Sequence, residues 1–257
     1  MTYRKLKIIC FMCDWVFCDE TERYVSQENR TPFEVNVARV PCIGRLDPVA
    51  VISTFEMGAD GVLFVGCIPT DCHFGEGNLY AECSVKILKK LLALAGLEQE
   101  RLELRWSSPV QDLTFSQMSA SFAAQIQGLG GSALNRRNAD EGILLNLFAA
   151  KNVAADFRLR VLSGRERQLT EEANVYGEKI QQEEFDDVAS EVIEEEFIRQ
   201  KIRLLTMHRP LSVGEIASIV SLKPSFVLRH IVEMRRKGMI GMDHVTDTTP
   251  FYKAVEA

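Results

Sequence analysis

Short apolar runs and amphipathic stretches alternate along the first half of the chain. KLKIIC is an apolar run ending at Cys10, and VNVARVPC is a β-branched run ending at Pro41-Cys42. DGVLFVGC is a continuous apolar run after its opening Asp and ends at Gly66-Cys67, the pattern of a strand buried on both faces. LELRWSS adds a fourth strand. Between them, Asp47-Pro48 opens a helical PVAVISTFEMGA, with the proline suited to a first turn. Asn78 to Ala95 repeats apolar residues at helical spacing and is closed by Gly96; Ser116 to Leu129 does the same before Gly-Gly. Strands alternating with helices predict βαβ units. The expected fold is α/β: a mostly parallel four-stranded open sheet with flanking helices.

The pattern changes after Gly130. A polar GGSALNRRNADEG is followed by helical GILLNLFAAKNVAADFRLRVL, then by a segment from Thr170 to Glu196 with eleven carboxylates and one lysine. Such a run is first read as a solvated helix face. The last sixty residues give a helix from Phe197 to Met207, a second in LSVGEIASIV and a third from Pro224 to Gly238. GMDHVTDTTPFYKAV then suits a two-stranded wing. That order predicts a winged helix-turn-helix. The expected organisation is 1–132 for the α/β domain, 133–195 for a helical acidic linker or docking segment, and 196–257 for the winged-helix-like domain.

Composition narrows the function. The chain has 257 residues, 46% hydrophobic and 26% charged, as in a soluble globular protein. A net charge of −6 argues against nucleic acid as the main partner. MTYRKLKIICF lacks the apolar core and cleavage site of a signal peptide, and no stretch has the length of a membrane span. A cytoplasmic location is expected.

Seven cysteines all precede Ser84. In a reducing compartment such clustering points to a metal or redox site in the first domain rather than to disulfides. Ligands of parallel α/β sheets gather beyond the carboxyl ends of the strands. Cys13 is expected just past the first strand, Cys42 and Cys67 at the ends of the second and third, and Cys72 in the loop CIPTDC. Four thiolates suit an iron–sulfur cluster or a structural zinc. Zinc ribbons pair two C-x2-C knuckles, whereas Cys10 to Cys13 has no matching second pair, so a cluster is the better reading. Cys10 and Cys83 read as packing residues and Cys18 as ambiguous. His73 reads as a polar loop residue near the site, and Trp15 as a shield over it or a core anchor. Arg45 and Asp47 are expected to pair and cap the next helix.

With these residues in view, the chain resembles the delta subunit of methyl-viologen-reducing hydrogenase. The resemblance rests on CDW at Cys13, on RVPCIGRLDPVAVISTFEMGADGVLFVGCIPTDCHFGEGN with its GC-x4-CH-x3-GN signature, and on KILKKLLALAGLEQERLELRWSS. It covers Lys5 to about Gly130. It implies a [2Fe–2S] cluster on Cys13, Cys42, Cys67 and Cys72. Where relatives show a cysteine after the tryptophan this chain has Val16, which leaves Cys18 as the alternative to Cys13. It further implies an electron relay without a substrate of its own. The partners would be a flavoprotein like the A subunit of heterodisulfide reductase and a second oxidoreductase subunit of hydrogenase or formate-dehydrogenase type. Complexes of this kind belong to anaerobic metabolism, electron-bifurcating ones among them. The stretch FRLRVLSGRERQLTEEANVYGEKI looks like a docking extension of some relatives.

The rival reading is a redox-sensing transcription regulator. The third tail helix carries Arg229, His230, Arg235, Arg236 and Lys237, as a recognition helix would. Against it, Glu215, Glu233, Asp243 and Asp247 dilute the charge, and the wing TDTTP has no cation for phosphate. No nucleophile elbow, paired catalytic carboxylates or nucleotide loop stands out, so no catalytic residue is expected.

Overall fold

The computed structural model describes residues 5–16, 33–69, 71–107, 114–135 and 141–255. Strands β1 (Leu6–Cys13), β2 (Phe33–Val40), β3 (Gly61–Cys67) and β4 (Leu102–Ser107) form one sheet in the order β2-β1-β3-β4, parallel throughout. Helices α1 (Pro48–Glu56), α2 (Gly77–Ala95) and α3 (Phe115–Leu129) flank it. The expected α/β sheet is present. Every residue of β3 is buried, as its unbroken apolar run requires of a central strand covered on both faces. Ile8, Phe55, Phe64, Leu88 and Phe122 fill the core from the sheet and all three helices.

Two strand ends differ from the sequence reading. β1 runs on to Cys13, so Cys10 is a mid-strand core residue. β2 stops at Val40, because Pro41 has no N–H to give to the ladder, and Cys42 lies two residues past the strand. Asp47 caps α1 by accepting from the Val49 N–H at 2.9 Å, as expected. Its ionic partner, however, is Arg160 rather than Arg45.

The opposite end of the sheet is tied by Asp60, which is fully buried. Its carboxylate accepts from the backbone N–H of Lys7 (2.8 Å) and Ser132 (2.8 Å) and from the Asn135 amide (2.9 Å). Buried Arg101 adds bonds to the Asp60 and Gly130 carbonyls. These contacts anchor the chain beyond Gly130 to the bottoms of β1 and β3.

Helices α4 (Glu141–Ala155), α5 (Phe157–Glu171) and α6 (Gln182–His208) follow. They add Leu147, Val153, Leu159, Ile193 and Phe197 to the core of the sheet unit. The acidic run covers the end of α5, the following loop and the first half of α6, and is only partly a solvated face. Its Asp186 and Glu194 pair with Lys86 and Lys90 of α2, and Phe185 is buried.

The second half of α6 begins another core with Ile202, joined by α7 (Val213–Val220), α8 (Pro224–Arg236) and a sheet of β5 (Leu211–Ser212), β7 (Thr249–Ala254) and β6 (Ile240–Thr246) in that order. This is the expected winged-helix arrangement. Ser212 and Glu215 form a capping box at the start of α7, and Pro224 occupies the first turn of α8. His230 does not face outward with the other basic residues. It is buried, and burial together with the neighbouring Arg199 lowers its pKa and keeps it neutral.

Candidate metal centre

The sheet delivers sulfur to one edge from three chain segments. Cys13 ends β1, Cys67 ends the adjacent β3, and Cys42 follows β2 on the other side of β1. Cys72 arrives from the loop between β3 and α2. Cys13, Cys42 and Cys67 are buried and Cys72 is half-buried. All are free thiols.

These sulfurs interact. Cys13 and Cys67 share a side-chain hydrogen bond, and the charges of Cys42 and Cys67 act on Cys13 while those of Cys72 and Cys42 act on Cys67. Burial pushes the Cys13 thiol up to about 12, and burial also raises Cys67. Two thiolates this close repel, which adds to both shifts.

Backbone donors oppose that shift. The Ile43 N–H donates to the Cys13 sulfur at 3.3 Å, helped by the Cys67 N–H, and the His73 N–H donates to the Cys67 sulfur. The N-terminus of α2 comes up against the other pair. A β-carbon on Gly77 would overlap the Cys42 sulfur and lie 3.4 Å from that of Cys72. One on Gly44 would overlap the Gly77 carbonyl, so the Cys42 loop and the start of α2 meet backbone to backbone. Glycine at both positions is therefore a requirement of close approach. A 19-residue helix directs its partial positive end at the two sulfurs.

The residues fit an iron–sulfur group by the chemistry of the donor set. Four thiols converge, backbone N–H groups point at sulfur, and a helix N-terminus favours the thiolate form. Among the described residues, no three His, Cys, Asp or Glu side chains are drawn into ready coordination geometry. Cys18, the alternative to Cys13, lies outside the described residues.

The other candidates separate cleanly. Cys10 is fully buried in β1. Cys83 sits on α2 against Glu166 of α5; burial, and then that carboxylate, push its thiol up to about 12. His73 serves through its backbone N–H, while its ring stacks on Trp15 with centroids 3.3 Å apart and planes within 10°. Trp15 is 53% exposed, so it is no core anchor. With Phe74 packed edge-on to both rings, it forms an aromatic cover beside the cysteine loops. Gly44 and Gly77 escaped the sequence reading, although the glycine directly after CI and the EGN after Cys72 were visible signals.

A family model described as methyl-viologen-reducing hydrogenase, delta subunit, matches residues 8–130. The iron-sulfur D subunit of the F420-non-reducing hydrogenase of Archaeoglobus profundus is 39% identical over 123 residues, 48% of this chain and 90% of that protein. The vhc iron-sulfur D subunit of the corresponding hydrogenase of Methanococcus voltae is 30% identical over 128 residues, 50% of this chain and 89% of that protein. The A subunit of the ferredoxin:CoB-CoM heterodisulfide reductase of Methanosarcina mazei is 29% identical over 138 residues, 53% of this chain but 17% of that much longer protein. The matched segment contains the whole four-stranded sheet beyond its first two residues and all four cysteines. By this match and these relatives, the chain belongs to the methyl-viologen-reducing hydrogenase delta subunit family.

Proposed function

We propose that the chain carries a [2Fe–2S] cluster on Cys13, Cys42, Cys67 and Cys72 and relays electrons within an anaerobic oxidoreductase complex. The observation that carries this reading is the convergence of four free thiols on one sheet edge, met by backbone N–H donors and the glycine-faced start of α2. A cluster of this type passes one electron at a time. The protein's part is to hold four sulfurs, supply N–H groups that stabilise their charge, and limit water with the Trp15–His73–Phe74 cover. Cys13 and Cys67 shed their protons on ligation.

Names among the relatives supply the partner chemistry. A hydrogenase and the A subunit of a heterodisulfide reductase are named among them; the formate-dehydrogenase alternative on one side and the flavin of the A-like partner on the other rest on the family resemblance. Electron bifurcation and a cytoplasmic site complete the reading; no helix among the described residues is long and apolar enough to cross a membrane. Purification of the tagged chain under anaerobic conditions tests it: a flavin-containing oxidoreductase should accompany it. A chain that elutes alone from cells expressing that oxidoreductase contradicts the relay.

The winged helix favours a protein contact over DNA. On α8, Phe226, Leu228 and Val232 are exposed, which adds apolar surface to a helix that in a DNA reader would be polar. Three of the cations on or just past this helix are paired, Arg229 with Glu195 (3.6 Å), Arg236 with Glu233 (3.3 Å) and Lys237 with Glu196 (4.0 Å), which leaves Arg235 as an exposed cation. Binding to DNA depends on uncompensated positive charge. Salt-sensitive binding to its own promoter fragment would instead support the regulator reading.

A further inference from the structure

We infer that α5 is a built-in clamp on the metal centre, with Arg160 and Arg167 as positioning residues for the two loops that carry Cys42 and Cys72. The inference rests on the four-cysteine reading above. Arg160 donates to both oxygens of Asp47, at 3.0 and 3.1 Å. Asp47 closes the Cys42 loop and caps α1. Two turns further along α5, Arg167 reaches Glu76 at 2.6 Å, and Glu76 directly precedes Gly77. Arg167 is itself held by Glu171 through two bonds of 2.7 and 2.9 Å and lies over the Tyr80 ring at 5.8 Å. The two carboxylates raise its pKa further, so it stays charged.

The two loops so gripped are the ones that touch through Gly44 and Gly77. Between them and α5 lies a cavity of about 270 Å3, lined by Gly44, Pro48, Tyr80, Ser84, Leu159 and Gly164. α5 therefore holds the loops chiefly by its arginines rather than by close packing along its length. The helix lies beyond the family match, which ends at residue 130. The Archaeoglobus protein, 90% of which is matched, leaves too little chain for α4 and α5. The clamp is thus an addition to the shared sheet unit. The two arginines also offset the charges of Asp47 and Glu76 on the cysteine loops, and removing them leaves those carboxylates uncompensated, which disfavours the reduced, more negative state of a cluster.

The test is the full-length double variant Arg160→Gln/Arg167→Gln, read in two ways. In the cluster-free chain, hydrogen exchange over 42–48 and 71–79 should quicken about threefold or more, while β1 and β3 keep wild-type rates. After reconstitution, the midpoint potential followed by electron paramagnetic resonance should move to a more negative value. Arg167→Lys, which keeps the charge, should restore part of the potential. Wild-type exchange in both segments overturns the clamp, as does faster exchange throughout the chain or an unchanged potential. Wild-type protein that takes up no iron fails the cluster reading alone, and the exchange data then decide the clamp.

Discussion

Gly77 and Cys42 are in direct contact: the α-carbon of Gly77 lies where any β-carbon would overlap the Cys42 sulfur. The start of α2 thereby reaches two sulfurs at once, and the residue that permits it has no side chain to recruit. Gly77→Ala should therefore displace Cys42 and lose most of the iron after anaerobic reconstitution. Helical content by circular dichroism should stay at the wild-type level, since alanine suits a helix better than glycine. A fully loaded variant would contradict the contact's role.

The thiol of Cys13 makes the cluster-free chain sensitive to alkali. Its folded pKa of about 12 stands above the ordinary 9.0, so the unfolded chain releases this proton first. The contribution to stability is whole below pH 9 and is lost as pH rises toward 12, on the order of a few kcal/mol across that window. Urea denaturation between pH 8 and 11 should show a falling midpoint, with a shallower fall in Cys13→Ala. Equal slopes for the two chains would contradict the assigned shift.

Ligation reverses the sign of the same effect. A thiol that must lose its proton to bind iron binds it better as pH rises. The rate of cluster assembly in the wild-type chain should climb between pH 7 and 9, followed by visible absorbance. Flat kinetics over that range would place the proton release elsewhere.

Asp60 holds the far end of the sheet unit. Asp60→Ala would take the acceptor from three donors, the buried N–H of Ser132, the partly buried N–H of Lys7 and the Asn135 amide, which keeps its bond to the Gly58 carbonyl. The expected loss is about 3 kcal/mol or more. Equilibrium denaturation measures it, and a loss below about 1 kcal/mol would mean that water replaces the carboxylate.

The sheet and the cysteines were legible because both follow from local pattern. The unbroken apolar run of β3 implied a central strand, and the strand ends implied where sulfur would gather. Pro41 is a visible stop signal, yet the β-branched run before it reads as continuing two residues too far, to Cys42. Asp60 was not legible: an Asp before a strand reads as a turn, and its three partners lie 53 to 75 residues away in the chain. The pairing of Arg160 with Asp47 spans 113 residues and escaped for the same reason, leaving Arg45 as the nearer and wrong partner. His230 looked like a basic residue of a recognition helix, because helical spacing alone does not tell which side meets α6.

The central claim is that four cysteines hold a [2Fe–2S] cluster, and metal analysis of the anaerobically purified wild-type chain tests it most directly. About two irons and two acid-labile sulfides per chain are expected, with a paramagnetic signal on one-electron reduction. Cys67→Ala and Cys72→Ala should abolish the signal and Cys83→Ala should keep it. Stoichiometric zinc without iron, or a full signal in Cys67→Ala, would contradict the account.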